Sequence, residues 1–108
     1  MEQSEYLEQH IFTDLKNLND GFDEASNFYF SEADFETVIE KCEYSGIGIY
    51  KISTWLDDKA YKMSSHEEFN KKATDPRWYK KAFLTLKMSQ KGLLFSATYK
   101  VSNKLLAR

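Results

Sequence analysis

Glu32, Glu36, Glu40 and Glu43 follow one another at spacings of four, four and three, which on a helix sets four carboxylates in one continuous row facing away from the apolar side. Just upstream, Asp20, Asp23 and Glu24 stand among Phe22, Phe28, Tyr29 and Phe30, and between Asp20 and Gly46 eight acidic residues are set against one lysine, Lys41. Like charges at i, i+4 cost a helix a few tenths of a kcal/mol per pair. Glu32 regains part of this near the helix N-terminus, but Glu40 and Glu43 stand at the negative end of the dipole. An acidic rim around aromatic anchors is the make-up of a docking surface for a basic protein. The contact set expected from the sequence is Asp23, Glu24, Glu32, Glu36, Glu40 and Glu43 as charges, with Phe28 and Tyr29 as anchors.

Other chemistry finds less support. The single Cys42 excludes an internal disulfide and, with only two histidines, leaves too few soft ligands for a zinc site. Gly46-Ile47-Gly48 lacks the further glycine of a nucleotide-binding loop, and no serine sits in a nucleophile elbow. His66 stands beside Glu67 and Glu68 in a polar stretch read as a solvated segment or short helix, and Asp57 and Asp58 read as turn residues before metal ligands. No catalytic residue, metal or cofactor is therefore expected. Lys71, Lys72, Arg77, Lys80, Lys81, Lys87 and Lys91 interleave with Trp78 and Tyr79 in a pattern that suits a nucleic-acid backbone. Those aromatics, however, fall on a face expected to be buried, and the acidic half and a pI near 5.7 oppose a long polyanion. Direct nucleic-acid binding is not expected.

A chain of 108 residues, 42% hydrophobic and 16% aromatic, suffices for one core and predicts one domain. Its first ten residues, MEQSEYLEQH, are acidic where a signal peptide is basic. No apolar run reaches the length of a membrane span. With the lone cysteine, this points to the cytoplasm. The net charge of −2 conceals an asymmetry: residues 1–45 hold 12 acids and 2 lysines, net −10, and residues 46–108 hold 5 acids and 13 bases, net +8. Either the halves pair their charges along a seam or one of them faces a partner.

The elements that must position these residues are legible in outline. Residues 5–18 predict a first helix, capped by Ser4, with Leu7, Ile11, Leu15 and Leu18 as its stripe and Asn19-Asp20-Gly21 as its stop. Residues 21–30 predict a loop with at most a short strand or helical turn. Ser31 and Asp34 form a variant capping box, with Phe30 and Phe35 as a hydrophobic staple. The second helix therefore begins at Glu32, buries Phe35, Val38, Ile39 and Cys42, and ends at Gly46. GIGIYKISTW and LDDKAYKM predict a hairpin turning at Asp57, Asp58 and Lys59. Asp75 and Pro76 start a third helix that buries Trp78, Tyr79, Ala82, Phe83 and Leu86. Leu93, Phe95, Ala97, Tyr99 and Val101 alternate with Leu94, Ser96, Thr98 and Lys100, predicting a strand with one buried face.

The order of elements predicts an α+β fold: a small antiparallel or mixed sheet of three to four strands with helices packed on one face. The helix FETVIEKCEYSG leading into the strand GIGIYKIS, followed by a later helix and a closing strand, resembles the small single-domain bacterial immunity proteins that neutralise colicin-type and contact-dependent toxins. The resemblance covers roughly residues 31–101 and lies in size, acidity and order of elements. It implies a basic toxin partner, a nuclease above all, bound through the acidic surface. Two alternatives remain. One is a ligand-binding or enzymatic α+β domain with a pocket between the sheet and the third helix, near His66, Tyr50 and Trp55. The other is a regulatory or phage-encoded adaptor for a host protein.

Overall fold

Ser31 sets the helix that follows it: its hydroxyl accepts from the Asp34 N–H at 3.3 Å, and α2 runs over Glu32–Ser45. The computed structural model describes residues 2–57 and 59–107. Gly46 ends α2 at φ 73°, a left-handed turn that glycine takes without strain. Phe35, Val38, Ile39 and Cys42 are all buried. The third helix is equally faithful to its signals. Asp75 caps it through the Arg77 N–H at 2.9 Å, Pro76 takes the first position, and α3, Pro76–Ser89, buries Trp78, Tyr79, Ala82, Phe83 and Leu86.

The sheet is antiparallel with three strands in the order β2-β1-β3, where β1 is Gly48–Leu56, β2 is Lys59–Ser65 and β3 is Leu94–Lys100. The fold is therefore α+β. Asp57 turns the hairpin at φ 48°, while Asp58 lies outside the described residues. His66–Phe69 forms a short 3-10 turn. A bulge separates Ile49 from Lys51 in the ladder with β3, so Ile49, Ile52 and Thr54 face the helices while Lys51, Ser53 and Trp55 face away. A second bulge faces Thr54, whose hydroxyl donates to the Lys62 carbonyl at 2.6 Å and accepts from the Lys62 N–H at 2.9 Å.

One apolar cluster joins the helices to the inner face of the sheet. Phe35 stacks on Phe95 at 5.4 Å, and Phe83 meets Phe95 edge-on at 5.0 Å. Burying such rings is the largest favourable contribution to the fold.

The first helix departs from expectation. α1 is only Gln3–Tyr6 and passes into a π turn over Leu7–Ile11. Its N-cap is Glu2 rather than Ser4, and no side chain caps it. Leu7 and Ile11 are buried as predicted, but Thr13 folds its hydroxyl back onto the Gln9 carbonyl, and Asp14 adopts φ 67°. A left-handed residue cannot continue a right-handed helix, so the expected helix over 12–18 is absent. The chain instead extends until the Leu18 N–H meets the Tyr29 carbonyl at 2.7 Å. Two contacts then close the outer edge of β3. Phe30 forms a two-way bridge with Phe95. The Gln3 carboxamide donates to the Tyr99 carbonyl at 3.1 Å and accepts from the Val101 N–H at 3.0 Å. A short terminal helix, α4, Asn103–Leu106, is capped by Ser102.

Candidate functional site: an acidic helix and a walled sheet face

The carboxylates of Glu32, Glu36, Glu40 and Glu43 all lie on the exposed side of α2, as a 3.6-residue period requires. The row borders α3 rather than pointing straight away from it. Glu43 meets Lys80 at 3.3 Å, and Glu36 and Glu40 form one bank of a groove whose other bank is Lys80, Lys81 and Lys87. Ile39, Phe83 and Leu84 floor this groove of about 380 Å³. The two helices are antiparallel, so the acidic part of the chain meets its basic part along this seam. The meeting is incomplete. Among the described residues the ion pairs are Lys80 with Glu43 and Arg77 with Asp75, and Lys41 donates to the Ile11 carbonyl at 3.3 Å instead of to a glutamate. Among the described residues Glu32, Glu36 and Glu40 have no ion-pair partner.

Tyr44, one turn after Glu40, is 94% exposed. It opens onto a shallow depression shared with Tyr6, His10, Glu40, Lys41 and Ser45, where the Tyr6 and His10 rings lie 4.6 Å apart. An exposed tyrosine beside unpaired carboxylates joins a large amphipathic contact surface to a charged rim. The sequence pattern points instead to Phe28 and Tyr29 as anchors and gives no sign of Tyr44.

Asp23 and Tyr29 lie beside the outward-facing Lys51, Ser53 and Trp55, across the sheet from the α2 row. Residues 17–29 cross its outer face as an irregular wall. Asn19 organises this wall: its amide donates to the Glu24 and Asn27 carbonyls, both at 2.8 Å, and its side-chain oxygen accepts from the Gly21 and Asp23 N–H groups. The Asn17 side-chain oxygen accepts from the N–H groups of Asn19 and Tyr29, both at 3.0 Å. Asp23 accepts from the Tyr29 hydroxyl at 2.7 Å and from the Glu24 N–H at 2.8 Å. These bonds hold the Asp23 carboxyl below its ordinary value, while burial and then Asp23 push Tyr29 upwards. Tyr29 is only 3% exposed, its ring covered on the outer side of the sheet, edge-on to Phe22 and Trp55. Phe28 is half-buried on Phe12 at 5.0 Å, and Glu24 is exposed.

Beneath the wall lies a hollow of about 360 Å³ lined by Asp23, Tyr29, Trp55, Lys51, Ser53, Ser96 and their neighbours. The pocket considered between the sheet and α3 is instead filled by Ile49, Ile52, Trp78, Tyr79 and Phe83, all buried. The residues linked to that pocket do not converge. Trp55 faces the outer hollow, whereas Tyr50 sits 6.0 Å from His66, whose Nδ1 bonds the Lys71 carbonyl at 2.8 Å.

Among the described residues no group of three or more His, Cys, Asp or Glu is placed to hold a metal ion. No helix there is long and apolar enough to cross a membrane. Comparison with known proteins gives no match to a family model, a curated protein or a solved structure.

Proposed function

We propose that this protein is a non-enzymatic inhibitor that acts in the cytoplasm by docking a basic protein against the exposed side of α2 and occluding that partner's own site. The partner chemistry that suits it best is a toxin whose substrate is a nucleic acid, since its phosphate-binding surface is cationic and a row of carboxylates substitutes for phosphates. The observation that carries this reading is the row of Glu32, Glu36 and Glu40, which forms no ion pair among the described residues and runs to the 94% exposed Tyr44. Unpaired charges of one sign raise association rates and select oppositely charged surfaces. An exposed aromatic supplies the buried contact that slows dissociation. The resemblance to bacterial immunity proteins in size, acidity and element order supports the same reading.

A tagged pull-down from the native host at low salt, eluted by raising salt and read by mass spectrometry, identifies the partner. The expected result is a single basic protein in stoichiometric amount. With that partner, the Glu36→Lys/Glu40→Lys double variant weakens affinity by about tenfold or more and flattens its salt dependence. Tyr44→Ala accelerates dissociation. Unchanged affinity in both variants overturns the assignment of this face.

A further inference from the structure

The outer face of the sheet supports a second site, independent of α2. The wall above it has no regular secondary structure; the Asn17, Asn19, Asp23 and Tyr29 side chains bond its backbone and one another. The floor is the opposite. Ser53 and Ser96 are cross-strand partners, as are Lys51 and Thr98, so three hydroxyls and an ammonium stand together on two strands. None of these four side chains has a hydrogen-bond or ion-pair partner among the described residues. Ser96 is only 6% exposed as a residue, and its side chain lines the hollow.

On the floor the Lys51 ammonium can only donate, while the three hydroxyls can donate or accept. Asp23, the acceptor on the wall, is already engaged by Tyr29, Glu24 and Asn27. Two ammonium groups, Lys51 and Lys62, line the hollow against the one carboxylate of Asp23, so its charge balance favours an oxyanion. Its upper end is aromatic: Trp55, stacked on Phe22 at 4.8 Å and met edge-on by Tyr29, with Tyr61 and Met63 on the β2 side. About 360 Å³ falls within the range of small-molecule sites. We propose that this hollow binds a small organic oxyanion, a carboxylate or phosphate borne on a planar ring, with the anion on Lys51, Ser53 and Ser96 and the ring against Trp55.

The protein contains two tryptophans whose indole N–H groups report separately. Trp78 donates to the Ala73 carbonyl at 3.3 Å in the core, whereas Trp55 Nε1 is buried with no partner beside the hollow. Two-dimensional nitrogen–proton spectra of the whole chain are recorded during titration with benzoate and, separately, phenyl phosphate, against sodium chloride at matched ionic strength. The expected result is saturable movement of the Trp55 resonance with a Kd on the order of 1 mM or tighter, while Trp78 stays still. Response to benzoate alone assigns a carboxylate ligand, to phenyl phosphate alone a phosphate ligand, and to both the shared oxyanion chemistry. Lys51→Met, at a partly exposed position, weakens the response about tenfold or more, and Ser96→Ala weakens it less, as expected for charge-assisted and neutral bonds. The native dispersion of the same spectra verifies folding of each variant. No saturable movement of Trp55 with either probe up to about 20 mM, or a response unchanged in Lys51→Met, overturns the proposal. Neither result bears on the α2 surface.

Discussion

The Tyr29 hydroxyl donates to the Asp23 side chain at 2.7 Å, tying a nearly buried ring to a surface carboxylate and fixing the wall above the sheet. This bond, followed by the Glu24 N–H, holds Asp23 below its ordinary value of 3.8. A carboxyl with a depressed folded-state pKa stabilises the protein above its unfolded value, and that contribution is lost as pH falls through the folded value. Tyr29→Phe is expected to cost about 1 kcal/mol at pH 7, with the gap from the parent narrowing below about pH 4. Urea unfolding of both proteins at several pH values measures this. A gap that stays constant down to about pH 2 refutes the linkage.

Thr54 is buried on the helix side of β1, and both of its hydroxyl bonds go to the backbone of Lys62 across the bulge. Thr54→Val keeps the shape and removes both bonds, leaving the Lys62 N–H and carbonyl without their partner. The expected loss is about 1–3 kcal/mol, with Thr54→Ser losing less. Equal destabilisation of the Val and Ser variants in denaturant melts counts against a hydrogen-bonding role.

Burial pushes the Cys42 thiol up to about 12, so at neutral pH it is protonated and inert. Ellman's reagent is expected to react with the folded protein only at the rate of opening, and in urea at the rate of a free thiol. Fast stoichiometric labelling of the native state at pH 8 contradicts the placement.

Glu43 and Lys80 form the ion pair that joins α2 to α3, with side chains 41% and 55% exposed. Solvent screening keeps such a pair to less than about 1 kcal/mol. Glu43→Gln therefore changes stability only slightly, and less still in 1 M salt. A loss of several kcal/mol in thermal melts indicates a seam far more buried than its geometry shows.

α2 and α3 were legible because their boundaries are local chemistry: Ser31 and Asp75 cap, Pro76 fixes a first turn, and Gly46 turns left-handed. The apolar periods named every buried residue on both helices. The segment after Ile11 was not legible, because its Leu15 and Leu18 keep a helical spacing while Asp14 breaks the backbone. What organises it instead is a set of asparagine side-chain bonds reaching up to twelve residues ahead, which no short window of sequence contains. The hollow was hidden by a smaller device. Strict alternation through Ile49-Tyr50-Lys51-Ile52 puts Lys51 on the same face as Ile49, and only the bulge turns Lys51, Ser53 and Trp55 outward. The acidic row was visible from spacing alone, but its adjacency to the lysines of α3 depends on two helices packing antiparallel, a long-range fact.

Gln3 and Phe30 occupy the outer edge of β3, which leaves β2 as the side of the sheet where another strand has room to pair. A sheet with two open margins can extend indefinitely by adding copies of itself, whereas one with a single open margin stops after one addition. The Gln3 amide and the Phe30 bridge together thereby set a ceiling on strand-to-strand self-association, which through β2 ends at a pair.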